Sequence, residues 1–329
     1  MISERHTTNY LSIGDPTGQL MIFMHGWPES PLVWHNQMEH FAAQGWHCVA
    51  PQMRGYGKSS VPRAIAAYAV REIVDDMVEL HNALGSGRAV WVGHDWGAPI
   101  AWSMASHHPE RCLGVVNLCV PYFARAFSLP ALVSLIDRAL YPVDMYPVGQ
   151  WDYWLYYREH FGAAATALHA DPAGAITAFF QFATDDRIGK VAPSASTRQR
   201  GGLLGGRQLA TAPETTCLPR AAFDRMTEEF RDTGFLGPNS WYMNDDANIA
   251  FAREARNFGR IDLPALFIHA EWDWVCETVR SDLAKPMRED CTNLTEAVVA
   301  AGHHLMLEQP TATTRAIDEW CARHLDRSG

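Results

Sequence analysis

Short runs of apolar residues recur along the first third of the chain, separated by longer segments of mixed polarity. Leu20–Met24 is apolar throughout, which is typical of a strand buried on both faces of a sheet. Comparable runs predict further strands at residues 9–13, 46–50, 89–92 and 113–120. Glycine and proline follow the first of these, in Gly14-Asp15-Pro16, and indicate a turn there.

The segments between these runs carry apolar residues at helical spacing. The predicted helices are residues 31–44, 69–84 and 98–107. In the second helix, apolar side chains recur every three or four positions from Val70 to Met77, as in an amphipathic helix, and Gly85 ends it. Strand and helix therefore alternate, which predicts a mostly parallel sheet with helices on both faces.

The pattern changes in the middle of the chain. From residue 122 to residue 248 the apolar spacing is helical, with predicted helices at residues 131–140, 152–160, 172–182 and 220–232. Residues 194–219 are polar and rich in glycine, which indicates a long surface loop. Strand patterns return at residues 265–269 and 297–300, and a last amphipathic helix is predicted at residues 313–325.

These elements predict an α/β fold with one large insertion. We expect the α/β core to comprise residues 1–121 and 249–329, with a mostly parallel central sheet flanked by helices. Residues 122–248 are predicted to form a mainly helical cap. The length of 329 residues suits one large core that carries such an insertion.

Charge and cysteine usage narrow the range of partners and compartments. The formal net charge of −10 repels polyanions, so we expect neither a nucleic acid nor an acidic membrane surface as a partner. The seven cysteines are scattered and form no C-x-x-C pair, which favours reduced thiols in a cytoplasmic protein. The N-terminal segment does not read as a secretion signal, and no apolar stretch approaches the length of a membrane span.

The segment Gly93-His94-Asp95-Trp96-Gly97 lies where a predicted strand gives way to a predicted helix. A residue flanked by glycines two positions away on either side is typical of the tight turn that presents a nucleophile. Larger residues at the glycine positions would clash with the adjoining strand and helix. The start of the helix also favours negative charge at this turn. We therefore predict that Asp95 is a nucleophile.

An aspartate at this position restricts the chemistry. A carboxylate that attacks an acyl carbon forms an anhydride, which is a poor intermediate for an esterase. A carboxylate that attacks a saturated carbon forms an ordinary alkyl ester, which water can cleave. The substrate is therefore expected to carry a leaving group on saturated carbon, as epoxides and alkyl halides do.

Seven motifs extend this interpretation along the chain. They are HGWPES, MRGYGKSS, GHDWGAP, WDYWLYY, SWYMN, HAEWDW and AGHH, beginning at residues 25, 53, 93, 151, 240, 269 and 301. With them, nearly the whole chain resembles the epoxide hydrolases of the α/β-hydrolase superfamily. The resemblance implies the α/β-hydrolase fold and the hydrolysis of an apolar epoxide to a vicinal diol. Gln52 departs from the pattern, which leads us to expect Asp before the R-G-Y-G segment.

The resemblance implies a catalytic triad in which Asp95 is the nucleophile. His303 corresponds to the base that activates water, and Asp273 to the acid that orients the imidazole and stabilises its charged form. The 30 residues between Asp273 and His303 leave room for a helix, and the order Asp, Asp, His is that of α/β-hydrolases with the serine replaced. Glu271 and Asp262 remain alternatives for the acid.

The same resemblance implies an oxyanion hole built from the backbone N–H groups of Trp27 and Trp96, donors that are fixed before charge develops. His25 is interpreted as structural, holding its loop by a hydrogen bond. The predicted substrate pocket consists of Trp27, Pro28, Trp96, Trp154 and Tyr157.

Two cap tyrosines complete the predicted site. An alkoxide is a poor leaving group unless it is protonated, and a phenol can donate a hydrogen bond to the ring oxygen as charge grows. The resemblance aligns Tyr153 and Tyr242 with this role. Tyr156 and Tyr157 remain alternatives for the first of them.

We expect no cofactor and no metal ion. His269, Glu271 and Asp273 alternate at the end of a predicted strand, but they lack the spacing of known metal sites. The expected partners are a small apolar epoxide and water, and a homodimer is left open. Two other functions also remain: a dehalogenase with the same Asp95 nucleophile, and a non-catalytic small-molecule receptor on the same fold.

Overall fold

A seven-stranded sheet forms the centre of the molecule. The computed structural model describes residues 1–85, 87–205 and 211–325. Within them the strands are β1 Tyr10–Ile13, β2 Leu20–Met24, β3 His47–Pro51, β4 Ala89–His94, β5 Cys112–Leu118, β6 Ala265–Ala270 and β7 Leu294–Val299. They lie in the order β1-β3-β2-β4-β5-β6-β7. Only β1 is antiparallel to its neighbour, which confirms the predicted mostly parallel sheet.

The strands that the sequence analysis locates best are those that are buried on both faces. Every residue of β2, β3, β4 and β6 is buried, and such strands read as continuous apolar runs. At the edge of the sheet, β7 has alternating burial, because one of its faces meets solvent. The prediction of residues 297–300 therefore misses the start of β7, where Thr295 and Glu296 break the apolar run.

The helices of the core flank this sheet. They are α1 His35–Ala43, α2 Val70–Leu84 and α3 Gly97–His107, and after the insertion α11 Lys285–Asp290, α12 Leu305–Glu308 and α13 Pro310–His324. In the described chain, α1 packs against α12 and α13, whereas α2 packs against α3. This division is that of helices on the two faces of a parallel sheet. Gly85 ends α2 with a left-handed φ of 65°, as predicted.

The insertion between β5 and β6 is helical. Its helices are α4 Leu129–Val133, α5 Asp152–Glu159, α6 Phe161–Ala170, α7 Pro172–Phe179, α8 Arg220–Thr233, α9 Leu236–Ser240 and α10 Asp245–Ala252. Its described part contains no strand, only an isolated bridge between Gln181 and Thr216. The predicted loop at residues 194–219 holds short 3-10 turns at Pro193–Ser196 and Pro213–Thr215, and its residues 206–210 lie outside the described residues.

One predicted helix of the insertion is wrong. Residues 131–140 do not form one helix, because the chain turns at Asp137 soon after α4 ends. The Asp137 carboxylate accepts hydrogen bonds from the N–H groups of Ala139 and Leu140 at 2.9 and 3.4 Å, and such local bonds compete with helix formation. Conversely, the sequence prediction misses α6, whose alanine-rich sequence offers little polar contrast for periodicity to detect.

The predicted end of the insertion falls inside a helix. α10 spans residue 248 without a break and packs against α2. The Asn248 side-chain oxygen accepts a hydrogen bond of 2.8 Å from the Val70 N–H. Amino-acid composition does not change at this point, so the sequence offers no signal for the boundary.

The sequence also led to predictions about membrane spans and about the cysteines. None of the helices in the described ranges combines the length and the apolar character that crossing a bilayer requires. All seven cysteines lie in those ranges, and each is buried.

Candidate active site

The turn at Asp95 connects β4 to α3 and holds the aspartate in a left-handed conformation with φ of 48°. Small neighbours make this turn feasible. A Cβ atom on Gly93 would lie 2.5 Å from the Gly97 carbonyl oxygen, and one on Gly97 would lie 2.2 Å from the Met24 carbonyl oxygen. A Cβ atom on Gly26 would lie 2.4 Å from the Asp95 carboxylate. Side chains at positions 93 and 97 would therefore clash with the backbone, which is the reason that the sequence analysis gave for these two glycines.

Asp95, His303 and Asp273 come together at the carboxyl end of the sheet. The Nδ1 atom of His303 lies 2.6 Å from Oδ2 of Asp273, and its Nε2 atom lies 3.5 Å from Oδ2 of Asp95. Asp273 follows β6 and His303 follows β7, so adjacent parallel strands deliver the pair to the same edge. The imidazole therefore stands between the two carboxylates.

Backbone groups fix the orientation of Asp273. Its Oδ1 atom accepts hydrogen bonds from the N–H groups of Val275 and Cys276 at 2.9 and 3.0 Å. The two rival acids are engaged elsewhere: Glu271 binds Arg280 at 2.8 Å, and Asp262 accepts from Thr292 at 2.7 Å. Of the three acids, only Asp273 reaches His303.

The charges of the three groups stabilise one another. Burial by itself lowers the pKa of His303, but the Asp273 carboxylate and its hydrogen bond raise that pKa well above its usual range. Burial raises the pKa of Asp95 and of Asp273, yet His303 outweighs this effect and both pKa values are lowered. At neutral pH the site therefore holds two carboxylates and one imidazolium.

The loop that follows β2 brings backbone N–H groups to the nucleophile. The Trp27 N–H donates a hydrogen bond of 2.6 Å to Oδ1 of Asp95, and the Trp27 indole N–H donates to Asn239 of the insertion at 3.0 Å. His25 holds this loop as predicted: its Nε2 accepts from the Met53 N–H at 3.1 Å, and its Nδ1 contacts the Gly26 carbonyl at 3.0 Å. The backbone nitrogen of Trp96 lies close to this loop, 2.6 Å from a Cβ built on Gly26.

A buried pair beneath the site escaped the sequence analysis. Oε1 of Glu29 lies 2.7 Å from Nδ1 of His94, and Oε2 of Glu29 accepts from the Gly26 N–H at 2.6 Å. Burial opposes the charged form of His94, but Glu29 raises its pKa to about 10. Nε2 of His94 then donates to the His303 carbonyl at 2.8 Å. Glu29 lies in the motif HGWPES and His94 in the motif GHDWGAP. Their place in these motifs was the only feature of the sequence that could have indicated a role at the site.

Tyr153 and Tyr242 face each other from the insertion, with ring centroids 5.7 Å apart. Both line the cavity that contains Asp95 and His303. Burial raises the pKa of each phenol well above its usual range, so both hydroxyls keep their protons at neutral pH. The two sequence-predicted tyrosines therefore bring protonated phenols to the cavity that contains the candidate nucleophile.

A cavity of about 280 Å³ separates the insertion from the triad. Trp27, Pro28 and Trp96 line it, as predicted. The same wall includes side chains that the prediction does not contain, namely Phe127, Phe179, Gln181, Arg187, Ser194, Arg200, Leu203 and Trp274. Most of these lie in the insertion, where no motif marked them.

Two residues of the predicted pocket lie behind its wall instead. Trp154 and Tyr157 are fully buried and do not line the cavity. The Trp154 indole donates a hydrogen bond of 2.6 Å to the Tyr242 carbonyl, and the Tyr157 ring packs 4.9 Å from the Tyr242 ring. Both residues lie on the face of α5 that points away from the cavity, where they pack against Tyr242 and hold it in position. Tyr156 also points elsewhere, donating to the Gly201 carbonyl at 3.3 Å.

The residues considered for a metal ion have other partners. His269 contacts Thr278 and Glu296 through its two ring nitrogens at 2.7 and 2.9 Å, and Glu271 binds Arg280. In the described chain, two closer clusters contain His303, one with His94 and Cys119 and one with Asp273 and Cys276. Burial raises the pKa of the Cys276 thiol well above its usual range, which makes it a poor ligand. In the other cluster both ring nitrogens of His94 are already engaged.

The side-chain amide of Gln52 forms hydrogen bonds within its loop, at a position where the sequence analysis expected the carboxylate of an aspartate. Its Oε1 atom accepts from Asn9 and from the Lys58 N–H at 2.8 and 2.9 Å, and its Nε2 atom donates to Glu229 at 2.8 Å. An amide can make both kinds of contact at once. The departure thus changes a loop contact outside the cavity.

The fold and the site define an α/β-hydrolase with a carboxylate at the nucleophile position. Residues 19–170 match the family model described as alpha/beta hydrolase fold. The chain is 33% identical to epoxide hydrolase A of Mycobacterium tuberculosis, over 93% of this chain and 91% of that protein. It is 30% identical to bifunctional epoxide hydrolase 2 of Sus scrofa over 92% of its length, spanning 51% of that longer protein.

A crystal structure agrees with the sequence relatives. Epoxide hydrolase A from Mycobacterium thermoresistibile superposes with a TM-score of 0.78 at 29% identity, covering 98% of this chain and 99% of that one. The chain therefore belongs to the epoxide hydrolase family and is a hydrolase.

Proposed function

We propose that this enzyme opens an apolar epoxide with water and releases a vicinal diol, through an ester of Asp95. The observation that carries the proposal is the pairing of a carboxylate nucleophile with two protonated phenols across one cavity. An esterase has no need of such phenols. An epoxide needs both groups, because its carbon is saturated and its leaving oxygen must be protonated.

The first step uses the carboxylate oxygen that is not held by the backbone. Oδ1 of Asp95 is bonded to the Trp27 N–H, so Oδ2 attacks one epoxide carbon and the bond between that carbon and the ring oxygen breaks. The electron pair passes to the ring oxygen, which takes a proton from Tyr153 or Tyr242 as the alkoxide forms. The product is a hydroxyalkyl ester of Asp95.

The second step cleaves this ester. Once Asp95 is esterified, the His303 imidazolium passes its proton to the phenolate. The neutral imidazole then removes a proton from water, and the water oxygen attacks Cγ of Asp95. The tetrahedral oxyanion is stabilised by the N–H groups of Trp27 and Trp96, and Asp273 stabilises the imidazolium. As the oxyanion collapses, His303 passes the water proton to the departing oxygen and the diol is released. The new carboxyl group of Asp95 then gives its proton to His303, which restores the carboxylate and the imidazolium.

Turnover of styrene oxide by wild type and by the Asp95→Ala variant tests the proposal. We expect diol formation by the wild type and none above background by the variant. The matched control is Asp224→Ala, because Asp224 is an exposed aspartate of α8 paired with Arg220 and should leave turnover unchanged. Diol formation by Asp95→Ala at the wild-type rate would contradict the proposal.

The same samples separate the alternative functions. Chloride release from a chloroalkane, with no turnover of epoxides, would identify a dehalogenase. Binding of an epoxide without turnover by the wild type would identify a receptor.

We also propose the division into a core of residues 1–121 and 249–329 and a cap of residues 122–248. The position of the cavity between the insertion and the sheet edge supports it. A cytoplasmic location stays a prediction, supported by seven scattered cysteines that form no C-x-x-C pair, and cell fractionation tests it. The homodimer stays open, and sedimentation of the purified protein decides it.

A further inference from the structure

Two arginines line the cavity that contains Asp95. Arg187 and Arg200 both lie in the connection between α7 and α8, and both face this cavity. The apolar epoxide of the proposed function offers one polar atom, the ring oxygen, and the two phenols already serve it. The arginines must therefore meet a different part of the ligand or have another partner in the protein.

Neither arginine forms an ion pair with a carboxylate in the part of the chain that the structure describes. Arg187 donates to the Phe182 carbonyl at 3.3 Å, and its guanidinium lies 4.7 Å from the centre of the Trp274 ring. Arg200 donates to the Pro193 carbonyl at 2.8 Å, while its Nε–H is buried without an acceptor. A guanidinium has five N–H donors, so most of these donors remain unused.

Other arginines of the insertion differ from these two. Arg158 binds Asp245, Arg198 binds Asp152 and Glu159, Arg220 binds Asp224, and Arg225 binds Glu229. Glu271 and Glu277 line a neighbouring cavity together with Arg187, and both bind Arg280. Asp186, which precedes Arg187 in the sequence, binds Lys190. Asp95 and Asp273 bind His303. Arg125, Arg138 and Arg231 of the insertion also form no ion pair within the described residues, but they lie outside the cavity. Arg187 and Arg200 are therefore set apart by the position of their unpaired guanidinium groups, which line the cavity.

A hydroxyl group adds to the polar character of this wall. Oγ of Ser194 lines the same cavity and is buried without a hydrogen-bond partner in the described residues. Buried polar groups are normally satisfied, since an unmade hydrogen bond costs free energy. Three side chains with open donors on one wall are expected where an anionic ligand completes them.

We propose that Arg187, Arg200 and Ser194 bind a carboxylate of the substrate, so that the preferred epoxide is an acid with an apolar body. This inference rests on the proposed function and names its substrate class. Guanidinium groups match the two oxygens of a carboxylate, and the bonds are stronger away from bulk water.

A pair of nearly isosteric substrates tests this assignment. We would compare kcat/KM for 4-(oxiran-2-yl)benzoate and 4-(oxiran-2-yl)benzamide, and for the two 3-substituted isomers, at low ionic strength. The reacting atoms are the same within each pair, so the ratio reports recognition of the charge. We expect the wild type to prefer the acid by at least about tenfold in one pair.

The variants Arg187→Gln and Arg200→Gln should each lower this ratio severalfold, and the double variant should bring it close to one. Arg220→Gln is the matched control, since Arg220 is an exposed arginine of the insertion outside the cavity, and it should keep the wild-type ratio. If a glutamine variant fails to fold, Arg200→Lys replaces it. This variant keeps the positive charge but loses the paired N–H donors of the guanidinium group, so it should give an intermediate ratio of kcat/KM for acid and amide.

The outcomes distinguish this inference from the proposed function. A wild-type ratio near one in both pairs, with styrene oxide hydrolysed normally, would overturn the inference alone. An acid preference that survives in the double variant would also overturn it. If the wild type opens none of these epoxides, styrene oxide included, the proposed function itself fails.

Discussion

Two phenols and one carboxylate define the chemistry at the scale of the residue. Tyr153 and Tyr242 line the cavity opposite Asp95, whereas Tyr157 lies behind its wall with a hydroxyl that has no partner among the described residues. Position in the cavity, not identity as a tyrosine, therefore separates the proposed proton donors from their neighbours.

Removing the phenol hydroxyls should slow the formation of the ester. We expect Tyr153→Phe and Tyr242→Phe each to lower the rate of the first step by about 10²-fold or more, as is typical of the loss of a general acid. The rate is measured by stopped-flow tryptophan fluorescence under single-turnover conditions. Tyr157→Phe is the matched control and should change this rate little. A larger effect from Tyr157→Phe than from Tyr153→Phe would assign the role to Tyr157.

The second step should depend on the protonation of His303. In the free enzyme, burial lowers the pKa of His303, but Asp273 and Asp95 together raise it. Formation of the ester removes the Asp95 charge, so the pKa falls and the imidazole becomes able to accept a proton. We expect ester hydrolysis to slow by about tenfold per pH unit below this pKa.

The alkaline side of the profile depends on the phenols. Burial raises the pKa of Tyr153 and Tyr242, so ester formation should stay constant up to about pH 10. Single-turnover rates of ester formation and ester hydrolysis, measured from pH 5 to pH 10, check both pH dependences. Hydrolysis that accelerates as the pH falls would contradict the role of His303 as a base.

At the scale of the element, the turn between β4 and α3 depends on the absence of side chains. In Gly97→Ala, the new Cβ atom would lie 2.2 Å from the Met24 carbonyl oxygen, and backbone atoms cannot move aside without displacing β2. We expect a loss of stability of about 1–3 kcal/mol and a large loss of turnover, because Asp95 shifts with the turn.

A second glycine provides a control of opposite sign. A Cβ atom on Gly162, near the start of α6, meets nothing within 4 Å, so Gly162→Ala should stabilise the protein by about 0.5–1 kcal/mol. Urea unfolding of the two variants measures both effects. Equal stability of Gly97→Ala and the wild type would contradict the steric account of the turn.

The order of the core strands and of the helices α1, α2, α3 and α13 followed from the sequence, because strands buried on both faces read as continuous apolar runs. The short helices α11 and α12 were not predicted. The insertion was less accessible. Its helix α6 lacks polar contrast, and Asp137 turns the chain soon after α4 ends through hydrogen bonds that no periodicity reveals. The motifs located Asp95, Asp273 and His303, but they did not show which face of α5 meets the cavity, so Trp154 and Tyr157 were misplaced.

Contacts between distant segments explain what else the sequence could not predict. Glu29 and His94 lie 65 residues apart in sequence and form a buried pair only because β2 and β4 are neighbours in the sheet. Arg187 and Arg200 occur in a segment without motifs, and their unpaired state depends on where every carboxylate of the region lies.

At the scale of the whole molecule, buried histidines should shape the dependence of stability on pH. Burial lowers the pKa of His25 to about 4, so the unfolded chain binds a proton first as the pH falls below about 6.5. Stability should therefore decrease between pH 6.5 and pH 4. The raised pKa of His94, about 10 despite its burial because of Glu29, contributes stability below about pH 6.5 that is lost progressively as the pH rises through 10.

Unfolding experiments across this range should give maximum stability near pH 6.5. The variant His25→Gln does not titrate there and should lose less stability than the wild type between pH 6.5 and pH 4. Glu29→Gln removes the partner of His94 and should flatten the decrease above pH 6.5. A stability that keeps rising from pH 6.5 to pH 10 would contradict the assignment of a charged, buried His94.

The central claim is that Asp95 becomes covalently attached to the substrate, and one measurement tests it most directly. The His303→Gln variant, mixed with styrene oxide, is examined by mass spectrometry of the intact protein and of its peptides. Without the base the ester should accumulate, adding the full mass of the epoxide at Asp95. An unmodified Asp95, in a folded variant that still forms diol, would contradict the account, because water would then attack the epoxide without an enzyme ester.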